Sequence, residues 1–149
     1  MREANEGGPL PNVKRILYIG LSVRDARRSA EWWKALLGME IEKENFDSAN
    51  WPAPWNEVQL IHPVSGFQLG FIEHPQNSGE PFSEFRTGLD HIELEVGDRE
   101  ELEWWRDRLD SLGIPHSGIT GPNRHIIVVR DPDNIQFEFF LPKPNTSSN

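Results

Sequence analysis

The chain repeats its own pattern, and that repeat limits the folds open to it more than any other feature. Residues 15–23, RILYIGLSV, alternate in polarity: Ile19, Leu21 and Val23 fall on one face, and Tyr18, Gly20 and Ser22 on the other. This is a strand with one buried face. Asp25 follows as a helix N-cap, the stretch DARRSAEWWKALLG carries apolar residues at helical spacing, and Gly38 supplies the stop. Residues 88–96, GLDHIELEV, alternate in the same phase, with Ile92, Leu94 and Val96 together. Asp98 stands where Asp25 stood. DREELEWWRDRLDSLG is again helical, with Leu102, Trp105, Leu109 and Leu112 on one stripe and Gly113 at its end. Both helices carry a Trp pair, Trp32–Trp33 and Trp104–Trp105. Core packing under a sheet is the expected use of these rings.

The remainder of each half matches as well. NEVQLIHPVSGFQLGFIEHP (56–75) and RHIIVVRDPDNIQFEFFLP (124–142) each read as strand, turn, strand, with PVSG and DPDN as the turns. Aligning them pairs Gln68 with Gln136, Leu69 with Phe137 and Phe71 with Phe139. A weaker strand lies near 39–45 in the first half and 114–119 in the second. A period of about 70 residues is too long for a solenoid. It fits two copies of a βαβββ unit whose sheets face one another around a cleft, an α+β architecture. At 149 residues this is one domain with a real core. The expected divisions are a flexible N-terminus (1–12), a first module (13–78), a linker (79–87), a second module (88–142) and a flexible C-terminus (143–149).

Charge excludes one large class of partner. With 15 basic and 24 acidic residues the formal charge is −9, so most of the surface repels a phosphate backbone and no nucleic-acid partner is expected. No apolar run approaches the roughly 20 residues of a membrane span, so no membrane partner is expected either. The absence of cysteine removes disulfides and thiolate ligands. MREANEGGPLPN has no apolar signal core, and the expected compartment is the cytoplasm.

Three stretches together resemble a known family: the strand–Asp–helix–LLG opening, LDHIELEV in the second half, and RDPDNIQFEFF near the end. The chain is similar over residues 13–142 to the vicinal oxygen chelate superfamily, which includes glyoxalase I, bleomycin-resistance proteins and extradiol dioxygenases. Asn134 stands where the family's DPDG motif has Gly, and Asn tolerates the left-handed backbone that such a turn demands. The resemblance implies a cupped, barrel-like cleft of mixed sheets. It also implies a homodimer, in line with the prevalence of symmetric pairs.

Metal-binding members take ligands from the first and last strands of each half. Carried onto this chain, those positions are His91 and Glu138 in the second half and Tyr18 and Gly70 in the first. An imidazole nitrogen and a carboxylate oxygen suit iron, zinc, nickel or manganese. Glycine has nothing to offer, and a phenol is a poor ligand until it ionises. The expected site is therefore degenerate, and one divalent metal or none stand as equal alternatives. His125 is a candidate third ligand if Ile126 and Val128 face the core, giving a two-His, one-carboxylate set. A one-residue slip would turn it away. In the alternative without metal, His91 and Glu138 simply hydrogen-bond across neighbouring strands. Glu93 and Glu95 read as an exposed rim.

The leading functional expectation is a protein that binds a small organic molecule in the cleft between the modules. Trp51 and Trp55, in the loop FDSANWPAPW (46–55), would cover a planar ligand, and Gln68 and Gln136 would offer polar contacts. The same loop could instead pack on its own domain or form a dimer contact. The alternative function is a divalent-metal-dependent lyase, isomerase or dioxygenase, with His91 and Glu138 as ligands and Tyr18 or Glu57 moving protons. A metal-free isomerase or epoxide-opening enzyme in the same cleft is a third.

Overall fold

The computed structural model describes residues 8–46 and 54–144. The first module consists of β1 (Tyr18–Ser22), α1 (Ala26–Leu37), β2 (Glu40–Asn45), β3 (Asn56–Ile61) and β4 (Gln68–Glu73). The second repeats the order with β5 (Ile92–Glu95), α2 (Arg99–Ser111), β6 (His116–Thr120), β7 (Ile126–Arg130) and β8 (Gln136–Phe140). The sheets are β1-β4-β3-β2 and β5-β8-β7-β6, the same order twice. In each, the first strand runs parallel to the last and the other pairings are antiparallel. The mixed sheets do not close into a barrel: β1 and β5 each end a sheet. No helix among the described residues is long and apolar enough to cross a membrane.

Local chemistry sets the helix ends. Asp25 is extended and accepts a hydrogen bond from the Arg28 amide at 3.0 Å, while Gly38 takes the left-handed conformation that ends α1. Asp98 caps α2 through the Glu101 amide at 2.9 Å. These contacts satisfy amides that a helix start leaves without partners. The expected α2 stripe is shorter than drawn. Leu102 and Leu109 are buried, but Leu112 lies past the last helical residue and is 44% exposed.

The strand register agrees with the repeat. Leu60 pairs with Leu69 as Val129 pairs with Phe137, and Val58 with Phe71 as Ile127 with Phe139. One phase differs from expectation. In β7 it is Ile127 and Val129 that are buried, so Ile126 and Val128 lie on the opposite face. Their β8 partners explain this: Ile127 and Val129 stand beside the fully buried Phe139 and Phe137.

The modules share one core, and α1 is its centre. Trp33 is fully buried, with its ring 4.4 Å from Phe137 in the second module and 6.1 Å from Phe71 in the first. Trp105 stacks on Phe139 at 4.4 Å, while Trp104 stays 55% exposed. The turn between β7 and β8 then clasps α1. Trp33 Nε1 donates to Asp131 Oδ2 at 3.0 Å, and Arg24 Nε and Ser29 Oγ donate to Asp133 at 2.6 and 2.9 Å. Burial pushes the Asp131 carboxyl above its ordinary pKa, against hydrogen bonds from Trp33 and two backbone amides that favour the charge. Asn134 turns the chain with a φ of 68°, the left-handed conformation expected from the motif.

Candidate functional site

The first module fills its own ligand positions. β1 and β4 are in parallel register, with Tyr18 beside Gln68 and Gly20 beside Gly70. The Tyr18 ring leans over Gly70 so closely that a Cβ there would overlap the phenol oxygen. That oxygen donates to Glu57 Oε1 at 3.0 Å, so Tyr18, Glu57 and Gly70 form one group. Burial, then the hydrogen bond and charge of Glu57, push the Tyr18 pKa above its ordinary value. The phenol therefore stays protonated at neutral pH. It is a hydrogen-bond donor and not an anionic ligand.

The second module is built the opposite way. The equivalent of the Gly20–Gly70 pair is Glu93 beside Glu138. His91 lies just ahead of β5, and donor atoms of His91, Glu93 and Glu138 all fall within 4.8 Å of one another. Glu138 is only 8% exposed and accepts from Gln136 Nε2 at 3.3 Å. His91 Nδ1 lies 2.5 Å from Asp90 Oδ1, which leaves Nε2 toward Glu93, 3.5 Å away. The hydrogen bond to Asp90, followed by those to Glu93 and the charge of Glu138, raises the His91 pKa against some loss of solvation. Three carboxylates around one imidazole favour a cation, whether a proton on the ring or a metal among the oxygens.

His125 takes no part in this cluster. It precedes β7, where its ring packs edge-on against Phe140 at 5.1 Å and its Nδ1 is buried without a partner. The strand phase that would have aimed it at Glu138 is the one corrected above. Trp55 packs against His74 at 5.3 Å, and Trp51 lies outside the described residues. Gln68 accepts a hydrogen bond from Gln59. Glu93 was legible as a neighbour of Glu138 from the repeat alone, since it aligns with Gly20. The density of acidic residues in LDHIELEV made it look like rim.

The two groups meet through a cavity. A space of about 570 Å³ lies at the seam between the free edges of β1 and β5. Tyr18 and Gln68 line it from one side, Glu93 and Glu95 from the other. Gly70, His91 and Glu138 are not in its wall. A second cavity, of about 520 Å³, lies under the linker and is the more polar, but its charges are already paired: Arg24 with Asp133 at 2.6 Å and Arg86 with Glu80 at 2.8 Å. The seam cavity is the better candidate site because apolar walls and a few convergent polar groups mark ligand pockets.

A family model described as the Glyoxalase/Bleomycin resistance protein/Dioxygenase superfamily matches residues 15–139. The chain belongs to this superfamily. A Bacillus subtilis (strain 168) protein named as a ring-cleaving dioxygenase, MhqA, is 26% identical over 122 residues, 80% of this chain. The chain spans only 37% of that relative's length. A glyoxalase/bleomycin resistance protein/dioxygenase domain from Frankia sp. EAN1pec superposes with a TM-score of 0.73 at 25% identity, covering 91% of this chain and 100% of the other. The fosfomycin resistance protein FosX from Listeria monocytogenes, solved with Mn(II) and a dihydroxypropylphosphonic acid, superposes at 0.66. It is 17% identical, with 89% and 95% of the two chains covered, and this likeness concerns the fold.

Members of the superfamily typically use a divalent metal, so the donor set must be tested against one. One imidazole nitrogen and two carboxylate oxygens from a single module are compatible with such an ion. Asp90 holds His91 as carboxylates hold ligating histidines elsewhere. The residues fit a centre of three protein donors, with the first module supplying none.

Proposed function

We propose that this protein binds a small organic molecule in the seam cavity, beside a divalent-metal centre held by His91, Glu93 and Glu138. One observation carries the reading: Glu93 belongs both to the donor cluster and to the cavity wall. A ligand in the cavity is then a neighbour of the centre. Bound there, the metal supplies Lewis acidity toward ligand oxygens. Gln68 offers polar contact from the opposite wall, and the apolar residues around it exclude water.

Elemental analysis after equilibrium dialysis against zinc, manganese, nickel or iron(II) tests the metal. The expected result is one ion per chain, lost in His91→Ala and Glu138→Gln. Proteins that fold normally and take up no ion would refute the centre.

The Tyr18–Glu57 pair supports a second reading, in which the bound molecule is also turned over. Tyr18 lines the cavity as a protonated phenol that donates to the Glu57 carboxylate, which is the proton acceptor of the pair and is reached from the cavity through the hydroxyl. The likeness to a protein named as a ring-cleaving dioxygenase lends support to metal-dependent chemistry of this kind. Tyr18→Phe should then abolish turnover while leaving ligand affinity within about tenfold, the loss of one hydrogen bond worth roughly 0.5–1.5 kcal/mol. Unchanged turnover would remove Tyr18 from the chemistry.

A further inference from the structure

We infer that a third cavity, walled by Arg99, His125 and Lys143, binds a small carboxylate that carries an apolar body. This cavity shares no lining residue with the seam cavity, and the inference rests neither on that site nor on a metal.

The cavity has a volume of about 400 Å³, toward the small end of ligand pockets. Its wall runs against the composition of the chain. The sequence holds 24 acidic and 15 basic residues, yet Arg99, His125 and Lys143 line this space and no Asp or Glu does. Among the described residues neither Arg99 nor Lys143 has an ion-pair partner, whereas Arg24, Arg86, Arg106 and Arg130 are all paired. A cleft lined by one sign of charge concentrates the opposite ion.

The donors are held in place. Arg99 Nη2 donates to the Asn123 carbonyl at 3.2 Å, and Nη1 donates to the Arg124 carbonyl. These bonds tie the start of α2 to the turn before β7 and leave further guanidinium N–H groups for a ligand. His125 is fixed through its backbone. Its amide donates to the Thr120 carbonyl and its carbonyl accepts from the Leu141 amide, both at 2.9 Å. Its Nδ1 is buried without a partner, and a Cβ on Gly121 would lie 3.2 Å from it. A proton there would be a donor with no acceptor, so the neutral ring carries its proton on Nε2. Guanidinium, ammonium and Nε2–H are then all donors, and a carboxylate offers only acceptors.

Leu141, Pro142 and Pro144 supply the apolar part of the wall, with Leu141 and Pro142 half-buried. An aromatic or aliphatic body removes that surface from water while its carboxylate meets the cations. The surroundings also set the ligand's direction. An adjoining space shares Arg99 and Lys143 but has Glu95 and Asp98 in its wall instead of His125. The carboxylate therefore belongs at the His125 end, away from those two acids.

Amide NMR of the full chain, titrated with phenylpropionate, phenylpropanol and phenylpropylammonium, tests the inference. The three probes share one apolar body and differ in charge. The carboxylate should bind about tenfold more tightly than the alcohol, and the ammonium should bind weakest. The amides of Asn123, His125 and Lys143 should shift most. His125→Phe keeps a ring against Phe140, and Lys143→Gln keeps a long side chain. Each should weaken the carboxylate severalfold and leave the alcohol unchanged, which a loss of packing alone would not do.

Equal affinity for the carboxylate and the alcohol would overturn the proposal, as would no binding of any probe. Shifts centred on His91 and Glu138 would place the carboxylate at the donor cluster instead, and would overturn it too. Inorganic phosphate that displaces phenylpropionate at equal concentration would show that the apolar wall contributes nothing, and would overturn the assigned class.

Discussion

The phenol of Tyr18 lies across Gly70, in the space that a side chain at position 70 would need. The two positions align with His91 and Glu138 in the other half, so the module that could have mirrored the donor cluster is instead closed by a ring. Gly70→Ala should push the ring away and break its bond to Glu57, at a cost of about 1–3 kcal/mol, as overpacking does. Urea denaturation of a double-mutant cycle with Tyr18→Ala measures it. The penalty at position 70 should shrink once the ring is gone, and an unchanged penalty would mean that the two residues do not compete for space.

The acidic cluster makes a second expectation. Glu93→Gln should reduce divalent-ion affinity at least tenfold, because it removes one of three donors. Asp90→Asn should reduce it by about tenfold, the lower end of what orienting partners contribute, since Asp90 is solvent-exposed. Competition with a metal indicator dye gives both values. Equal affinity of Glu93→Gln and the parent would leave His91 and Glu138 as the only protein donors.

A third concerns the clasp between modules. Asp133 is buried and receives hydrogen bonds from Arg24 and the fully buried Ser29. Asp133→Ala leaves the serine hydroxyl without its acceptor and should cost about 2–3 kcal/mol. Denaturant titration should show a lower midpoint with an unchanged slope, because both modules still unfold together around Trp33.

The fourth concerns pH. Two hydrogen bonds from Arg130, at 2.7 and 3.1 Å, hold the linker residue Glu84, and its pKa falls from 4.5 to about 2, chiefly through those bonds. A depressed folded value means the pairing stabilises the fold above about pH 4.5 and is lost as pH falls toward 2. Carboxyl NMR should find Glu84 still ionised at pH 3, with Arg130→Ala returning its midpoint to near the ordinary value. A Glu84 that titrates normally in the parent would show that the pair is not formed in solution.

Much of the fold can be read from the residues because the chain states its unit twice. Ile19, Leu21 and Val23 share a phase with Ile92, Leu94 and Val96, and Asp25 matches Asp98. Each half therefore checks the other. His125 shows where this stops. Alternation establishes that a strand has two faces, but RHIIVVR is apolar at four successive positions and does not say which face is inner. Phe137 and Phe139 on the neighbouring strand settle it by burying Val129 and Ile127.

By itself, then, the sequence determined the paired βαβββ units with their caps and turns, since local periodicity suffices for these, while the pairing of His91 with Glu138 came from the family resemblance. Tertiary structure decided that Tyr18 occupies the space above Gly70, that Glu93 joins the donor cluster, and that the cavity opens at the seam. Those outcomes depend on side-chain direction and on how two sheet edges approach one another, and no local pattern encodes a distance between strands that share no hydrogen bonds.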